Sequence, residues 1–193
     1  PVYEIPQASR VAKGQAIVNI LQLQESEIVS SILNITEKFT GQYLFMATRN
    51  GTVKKTAVED FEKVRRSGLI AIKLRDGDSL EWVKETNKGD RIFIAAMNGL
   101  SIRFDQEEVR SMGRSSMGVR GMRLKAKDIC VEMDVVKNPS DAEVLIIMEN
   151  GLGKCTKITN YRLQGRGGSG TKTARVTPKT GRVIGAKIFD NKS

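Results

Sequence analysis

The stretch YLFMATRNGTVKKT, residues 43–56, combines an apolar run, an Asn-Gly pair and a basic run. Short, uninterrupted apolar runs are typical of strands that are buried on both faces, and Asn-Gly favours the tight turn of a β-hairpin. The stretch therefore predicts two antiparallel strands joined at Asn50-Gly51.

The same pattern recurs twice further along the chain. Apolar runs at 92–96 and 144–148 precede Asn98-Gly99 and Asn150-Gly151, so that the three Asn-Gly pairs are 48 and 52 residues apart. Each pair is followed, three or four residues past its glycine, by a basic residue: Lys54 and Lys55, then Arg103, then Lys154. A period near 50 residues indicates an internal structural repeat.

Two further strands complete each predicted copy. A glycine 17 to 19 residues after each Asn-Gly glycine opens a predicted strand, at 68–74, 118–124 and 170–176, and the segment 14–20 has the same pattern. Apolar closing strands are predicted at 28–35, 80–83, 129–136 and 183–189. Val58, Phe61 and Val64 allow at most one or two helical turns.

These elements predict an all-β protein built of four-stranded units, approximately residues 1–42, 43–90, 91–143 and 144–193, with the first unit incomplete. Units of this size with four strands are typical of propeller blades, each of which covers the apolar face of its neighbour. A β-solenoid of stacked hairpins is the alternative. Because the chain opens on Pro1 and out of phase with the repeat, we expect a piece of a longer array.

The amino-acid composition limits the classes of function that the chain can have. The chain has 32 Lys and Arg against 22 Asp and Glu, and its net charge of +10 favours a polyanionic partner. Histidine is absent, which removes the commonest general base and metal ligand, so we expect no catalytic residues and no metal site. Acidic residues at 76–78 and 106–108 are predicted to be solvated loop tips. Cys130 and Cys155 are expected to be reduced, half-buried strand residues.

The sequence contains no window near the roughly 20 apolar residues that span a membrane. It also lacks a basic-then-apolar signal segment at its N-terminus. We therefore expect a cytoplasmic protein without a membrane partner.

Basic, glycine-containing segments follow the second strand of every copy, at 10–14, 63–68, 110–123 and 162–175. If the units superimpose, these segments form one belt along a curved edge. Lys and Arg neutralise phosphates, and glycines let backbone N–H groups approach phosphate oxygens. The pattern predicts duplex DNA binding with weak sequence preference; ordinary solvated loops are the alternative.

The candidate DNA-binding residues follow from their positions in the repeat. They are Arg10, Lys13, Lys54, Lys55, Arg65, Arg66, Lys73, Arg103, Arg114, Arg120, Arg123, Lys154, Lys157, Arg162, Arg166, Lys172 and Arg175. Single-stranded nucleic acid is disfavoured because aromatic residues for base stacking are sparse here. Tyr161 is the one candidate for stacking, and we expect it to be a packing residue.

Four stretches are similar to successive repeats of the C-terminal domain of the DNA gyrase A subunit: NGTVKKT at 50–56, AIKL at 71–74, GVRGMRL at 118–124, and residues 151–173. The resemblance covers nearly the whole chain. It implies a β-pinwheel, a propeller-like disc on whose basic perimeter duplex DNA is bent and wrapped.

The resemblance also implies which enzyme the module would belong to and where that enzyme would act. The module would support ATP-dependent negative supercoiling by an A2B2 holoenzyme of gyrase A and B subunits, in the bacterial cytoplasm at the nucleoid. The cleaving tyrosine, the magnesium site and the ATPase would lie elsewhere in this type IIA topoisomerase. No cofactor is therefore expected in this segment.

Residues 164–170 are similar to the family's box motif, Gln-basic-Arg-Gly-Gly-basic-Gly. The stretch matches at five of the positions and departs at two, each of which lacks a positive charge. In order, its residues are Gln164, Gly165, Arg166, Gly167, Gly168, Ser169 and Gly170, and the departures are Gly165 and Ser169. We expect a degenerate copy, with the true box upstream, and therefore DNA bending without a full chiral wrap.

Two alternatives stand beside this interpretation. Within the family, the C-terminal domain of the topoisomerase IV A subunit has fewer, more divergent blades and no box, and the box-like stretch argues against it. In a different class, a propeller could serve as a scaffold that binds an acidic protein partner.

Overall fold

The structure, a computed structural model, describes residues 5–21, 23, 27–33, 42–62 and 68–190. It is nearly all β, as predicted, and the four 3-10 turns among these residues are short: Ile17–Asn19, Val58–Phe61, Gln106–Glu108 and Ile158–Asn160. The strands are β1 (Tyr43–Thr48), β2 (Thr52–Ala57), β3 (Leu80–Thr86), β4 (Arg91–Ala96), β5 (Leu100–Asp105), β6 (Val119–Arg120), β7 (Cys130–Val136), β8 (Ala142–Met148), β9 (Gly153–Lys157), β10 (Thr171–Lys172) and β11 (Val183–Asp190).

The three Asn-Gly pairs close hairpins, which confirms the prediction from the apolar runs. They join β1 to β2, β4 to β5 and β8 to β9, each pair antiparallel. The N–H of each hairpin glycine donates to the carbonyl three residues earlier at 3.0 Å. These glycines have φ of 81° at Gly51, 81° at Gly99 and 79° at Gly151, a conformation that other residues adopt only at a cost.

Three antiparallel sheets result among the described residues, and two of them take their fourth strand from the following unit. The first sheet has the order β3-β1-β2-β6, the second β7-β4-β5-β10, and the third, within the described residues, β11-β8-β9. The fourth strands β6 and β10 come from the following copy, because β6 pairs with β2 and β10 with β5. The sequence pattern predicts each such strand within its own copy, and the structure corrects this.

The strands expected after the marker glycines are shorter than predicted or missing. Only two residues of 118–124 and two of 170–176 form ladders, and 68–74 contains no strand. The segment 14–20 holds a 3-10 turn, and residues 28–33 form no strand; residues 34 and 35 lie outside the described part. An edge strand of this kind needs a partner from the preceding sheet, and the described residues before Gln42 contain no strand.

Alternate residues of the apolar strands face opposite sides, which explains why the runs are uninterrupted. Phe45 of β1 packs in one core with Ile92 and Ile94 of β4. Phe93, on the other face of β4, packs in a second core with Val144 of β8. Each such buried side chain contributes about 1.5–3 kcal/mol, so the stacking of sheets holds the array together.

The closing strands adjoin one another at one side of the stack. β7 packs against both β3 and β11. An Asp134 oxygen of β7 lies 3.6 Å from the Lys84 ammonium of β3, and its second oxygen lies 3.1 Å from the Lys187 ammonium of β11. The fourth strands β6 and β10 lie at the opposite edge of their sheets. We call that edge, with segments 68–75, 110–125 and 162–177, the outer edge.

Candidate nucleic-acid interface

The outer edge is built by the same docking geometry at two successive junctions. The Gly51 carbonyl accepts hydrogen bonds from the N–H groups of Gly121 and Met122 at 2.8 and 3.2 Å. The Gly99 carbonyl accepts from Thr173 and Ala174 at 2.8 and 3.1 Å. Positions 52 residues apart in the third and fourth units are therefore equivalent.

Gly118 and Gly170 let these segments lie directly against the preceding strand. Their φ angles are 84° and 77°. A Cβ atom on Gly118 would meet the Val53 carbonyl oxygen, and one on Gly170 would meet that of Ser101. Both the backbone conformation and the close approach require glycine, which explains the marker glycines of the repeat.

One outer-edge position carries a cation in the second, third and fourth units. Lys73, Arg123 and Arg175 each lie five residues beyond the positive-φ glycine of their segment, and all three are exposed. A second position carries exposed Arg120 in β6 and exposed Lys172 in β10. The repeat thus sets positive charge at regular places along one edge, as a phosphate backbone would require.

The seventeen candidates from the sequence fall into four groups. Ten are exposed: Arg10, Lys13, Lys73, Arg120, Arg123, Lys154, Lys157, Arg162, Lys172 and Arg175. Arg114 and Arg166 are half-buried, and Arg65 and Arg66 lie outside the described residues. Lys54, Lys55 and Arg103 are buried.

Lys55 and Arg103 act inside the protein. The Lys55 ammonium donates to the carbonyl oxygen and side-chain Oε1 of Gln106 at 3.2 and 2.8 Å, and lies 4.8 Å from the centre of the Tyr43 ring. The Arg103 Nη1 donates to the Ile158 carbonyl at 3.0 Å. Burial lowers the pKa of both Lys55 and Arg103. Each reaches the 3-10 turn of the next unit.

The buried lysines and Arg103 are therefore removed from the candidate interface. Lys54 has no exposed surface, and its ammonium donates to the carbonyls of Ala71, at 2.6 Å, and Arg114. A cation whose donors are bound inside the protein cannot also neutralise a phosphate outside it. Gln106, expected at a solvated loop tip, is likewise buried as the partner of Lys55.

The box-like stretch lies at the junction between the third and fourth units. Its Gln164 N–H donates to the Arg103 carbonyl at 2.9 Å, and its Gly167 N–H donates to the Gly121 carbonyl at 2.6 Å. Arg166 donates through Nε to the Glu108 carbonyl at 3.0 Å and through Nη1 to the Arg120 carbonyl at 3.1 Å. Gly165 and Ser169, the two departures from the motif, are exposed.

Three exposed outer-edge cations were not among the candidates. Arg110 lies 52 residues before its equivalent Arg162, and Arg75 and Lys125 each lie two residues beyond an identified cation. A position-by-position alignment of the copies to one another would have identified these three cations from the sequence.

The part of the chain that the structure describes contains few groups suited to metal binding or thiol chemistry. No group of three His, Cys, Asp or Glu side chains there could hold a metal ion. Both cysteines are free and on strands; Cys130 is buried, which raises its thiol pKa to about 12, and Cys155 is exposed rather than half-buried. Tyr161 is a packing residue, as expected, with its ring edge-on to Phe93 at 5.2 Å.

None of the helical segments among the described residues is long and apolar enough to cross a membrane. The features together define an all-β repeat domain of propeller type, in which a following unit adds a strand to the preceding sheet and the outer edge is cationic. The chain belongs to the family of the DNA gyrase C-terminal domain, a beta-propeller, which matches residues 1–36, 42–87, 90–137 and 142–190.

Curated relatives and solved structures agree with this family. The chain is 41% identical over 187 residues to the DNA gyrase A subunit of Lawsonia intracellularis and 40% identical over 190 residues to that of Escherichia coli K12. These matches cover 96% and 98% of the chain but only 23% and 22% of the relatives, so the chain spans less than a quarter of their length.

Two solved domains share the fold. A C-terminal domain of DNA topoisomerase IV superimposes with a TM-score of 0.89 at 28% identity, covering 99% of this chain and 59% of that one. A DNA gyrase A C-terminal domain superimposes with a TM-score of 0.80, also at 28% identity, covering 93% and 59%. Both similarities support the propeller-like architecture.

Proposed function

We propose that this chain binds duplex DNA along its outer edge and bends it, as the DNA-wrapping module of a gyrase A protein. The observation that carries the proposal is the repeated cation at Lys73, Arg123 and Arg175, exposed at equivalent places in successive units. Such an arrangement suits a duplex that crosses unit after unit, because contacts to phosphates do not depend on sequence.

The family membership supports the wider setting. The chain serves an A2B2 holoenzyme with the gyrase B protein, in the bacterial cytoplasm at the nucleoid and without a membrane partner. Cleavage, magnesium and ATP are handled by other domains, and the bent DNA supports negative supercoiling. The named curated relatives, both gyrase A proteins at about 40% identity, favour gyrase over topoisomerase IV, although a topoisomerase IV domain shares the fold.

The test is the affinity of the chain for duplexes of about 20 and about 40 base pairs over a salt series. Each neutralised phosphate contributes about −0.9 to the slope of log K against log salt. We expect tighter binding and a steeper slope for the longer duplex. Absent binding at low salt, or equal shallow slopes for both lengths, would contradict the proposal and favour the acidic-protein scaffold.

Variants sharpen this test. We expect Arg123→Ala and Arg175→Ala each to make the slope shallower by about 0.9. Lys88→Ala is the matched control, because Lys88 is exposed in the turn between β3 and β4, away from the outer edge. An equal loss with Lys88→Ala would show a diffuse charge effect instead of contacts at the outer edge.

The box-like stretch supports bending without a full chiral wrap. Its Arg166 is bound to backbone carbonyls of the third unit, and its two departures lack charge. A topological assay should show a smaller linking-number change for this chain than for a complete gyrase A C-terminal domain. A comparable change for both would contradict this part of the proposal.

A further inference from the structure

Lys54 is a charged side chain with no exposed surface in the middle of β2. A buried charge is costly unless hydrogen bonds compensate for its lost hydration. Here the ammonium donates to two backbone carbonyls, those of Ala71 and Arg114. Burial lowers the pKa of Lys54, and the nearby Asp60 charge partly offsets this.

The two carbonyls belong to the outer segments of neighbouring units. Ala71 lies two residues before Lys73 in the segment 68–75, and Arg114 lies in the segment 110–125. The same two segments are joined by a backbone hydrogen bond from the Lys73 N–H to the Ser116 carbonyl at 3.1 Å. The Lys54 ammonium therefore lies beneath the point where the two outer segments meet.

At the next junction the residue equivalent to Lys54 is apolar, and the cation that binds backbone carbonyls comes from the later unit. Ile102 occupies the position equivalent to Lys54, third after the hairpin glycine, and is fully buried. There Arg166 reaches back from the following unit to the carbonyls of Glu108 and Arg120. Besides Lys55 and Arg103, each junction thus has a further cation bound to backbone carbonyls. The earlier unit supplies it at the first junction and the later unit supplies it at the second.

We propose that Lys54 is a positioning residue for DNA binding, which sets the spacing between the outer segments 68–75 and 110–125 of the second and third units without touching DNA. The proposal rests on the proposed function, since the spacing matters only if a duplex crosses both segments. A duplex that spans several units binds more tightly when it makes all of its contacts simultaneously. This increase in affinity is lost when the spacing between the outer segments is wrong.

The experiment compares Lys54→Met, which keeps the length and loses the donors, with Lys54→Gln, which keeps two N–H donors. Lys154→Met is the matched control, because Lys154 occupies the equivalent position in the third sheet and is exposed. Circular dichroism establishes that each variant is folded. Hydrogen exchange is then measured at 68–74 and 110–118, and affinity is measured for the 20- and 40-base-pair duplexes.

We expect Lys54→Met to speed exchange in both segments and to weaken binding of the longer duplex by about tenfold, with little change for the shorter one. Lys54→Gln should restore part of both losses. Lys154→Met should leave exchange in the two segments unchanged, and any loss of affinity that it causes should be equal for both lengths.

Three results would overturn the inference. Equal loss for both duplexes, with a salt slope shallower by about 0.9, would make Lys54 a direct phosphate contact. Unchanged exchange and affinity would show that it positions nothing. Loss of fold in both Lys54 variants would make it a general core residue. Failure of the unaltered chain to bind DNA would refute the proposed function instead. The exchange measurement would still show whether Lys54 holds the two outer segments together.

Discussion

The carboxylate of Glu108 accepts a hydrogen bond from the backbone N–H of Arg166 at 2.7 Å. With the two bonds that the Arg166 guanidinium donates to carbonyls, this contact joins the third unit to the fourth. The central arginine of the box-like stretch therefore contributes to the stability of the array, a role that its motif did not indicate.

Replacement of this arginine should weaken the junction. We expect Arg166→Ala to lower the free energy of unfolding by about 1–2 kcal/mol, since two hydrogen bonds from a partly exposed charged group are lost. Urea unfolding measures this. Arg162→Ala is the control, because Arg162 is exposed in the same segment. An equally small loss from both variants would show that the Arg166 contacts contribute nothing measurable.

Gly170→Ala should be destabilising by about 1–3 kcal/mol, because it combines a left-handed φ with a Cβ atom directed at the Ser101 carbonyl. Gly165→Ala, in the same loop, is the matched control: its Cβ atom would lie 3.8 Å from the nearest atom, Glu108 Oε2. We expect near-neutral stability there. Thermal unfolding of the two variants should rank them clearly, and similar melting temperatures would refute the close-approach argument.

The stability of the chain should depend on pH through Glu132. Burial, with the neighbouring Asp134 charge, raises the pKa of Glu132 from 4.5 to about 7, although Lys84 and Lys187 partly counteract this. Because the folded state then binds more protons than the unfolded state between pH 4.5 and 7, this group makes stability fall as pH rises through that window.

Glu132→Gln should remove that contribution. Urea unfolding at about pH 5.5 and about pH 7.5 should show a smaller fall for the variant than for the unaltered chain, with the variant relatively more stable at the higher pH. Glu143→Gln, on β8, serves as a carboxylate control. Identical pH profiles for Glu132→Gln and the unaltered chain would contradict the raised pKa.

The two thiols should differ sharply in reactivity. Cys155 is exposed on β9, whereas Cys130 is buried, and a pKa of about 12 leaves it almost no thiolate at neutral pH. Titration with a thiol reagent should detect one thiol in the folded chain and two in denaturant. Cys155→Ser should abolish the folded-state signal; two reactive thiols without denaturant would show that the core around Cys130 opens readily.

Much of the fold could be predicted because its signals are local. The Asn-Gly turns and the apolar runs before them specify hairpins within about a dozen residues, and all three hairpins formed where expected. The marker glycines were also detectable, since left-handed φ and close backbone approach leave few alternatives. Most exposed cations of the outer edge followed from their places in the repeat, whereas Arg75, Arg110 and Lys125 were missed.

The sequence by itself determined the all-β class, the period and the hairpins, because turn chemistry and alternation act between near neighbours in the chain. The tertiary structure alone decided which sheet each fourth strand joins and which cations reach solvent. Lys54 and Lys154 occupy equivalent positions in similar local sequence, yet the first is buried and the second exposed. The difference arises because the segments around Ala71 and Arg114 cover Lys54, and burial depends on such packing between distant parts of the chain.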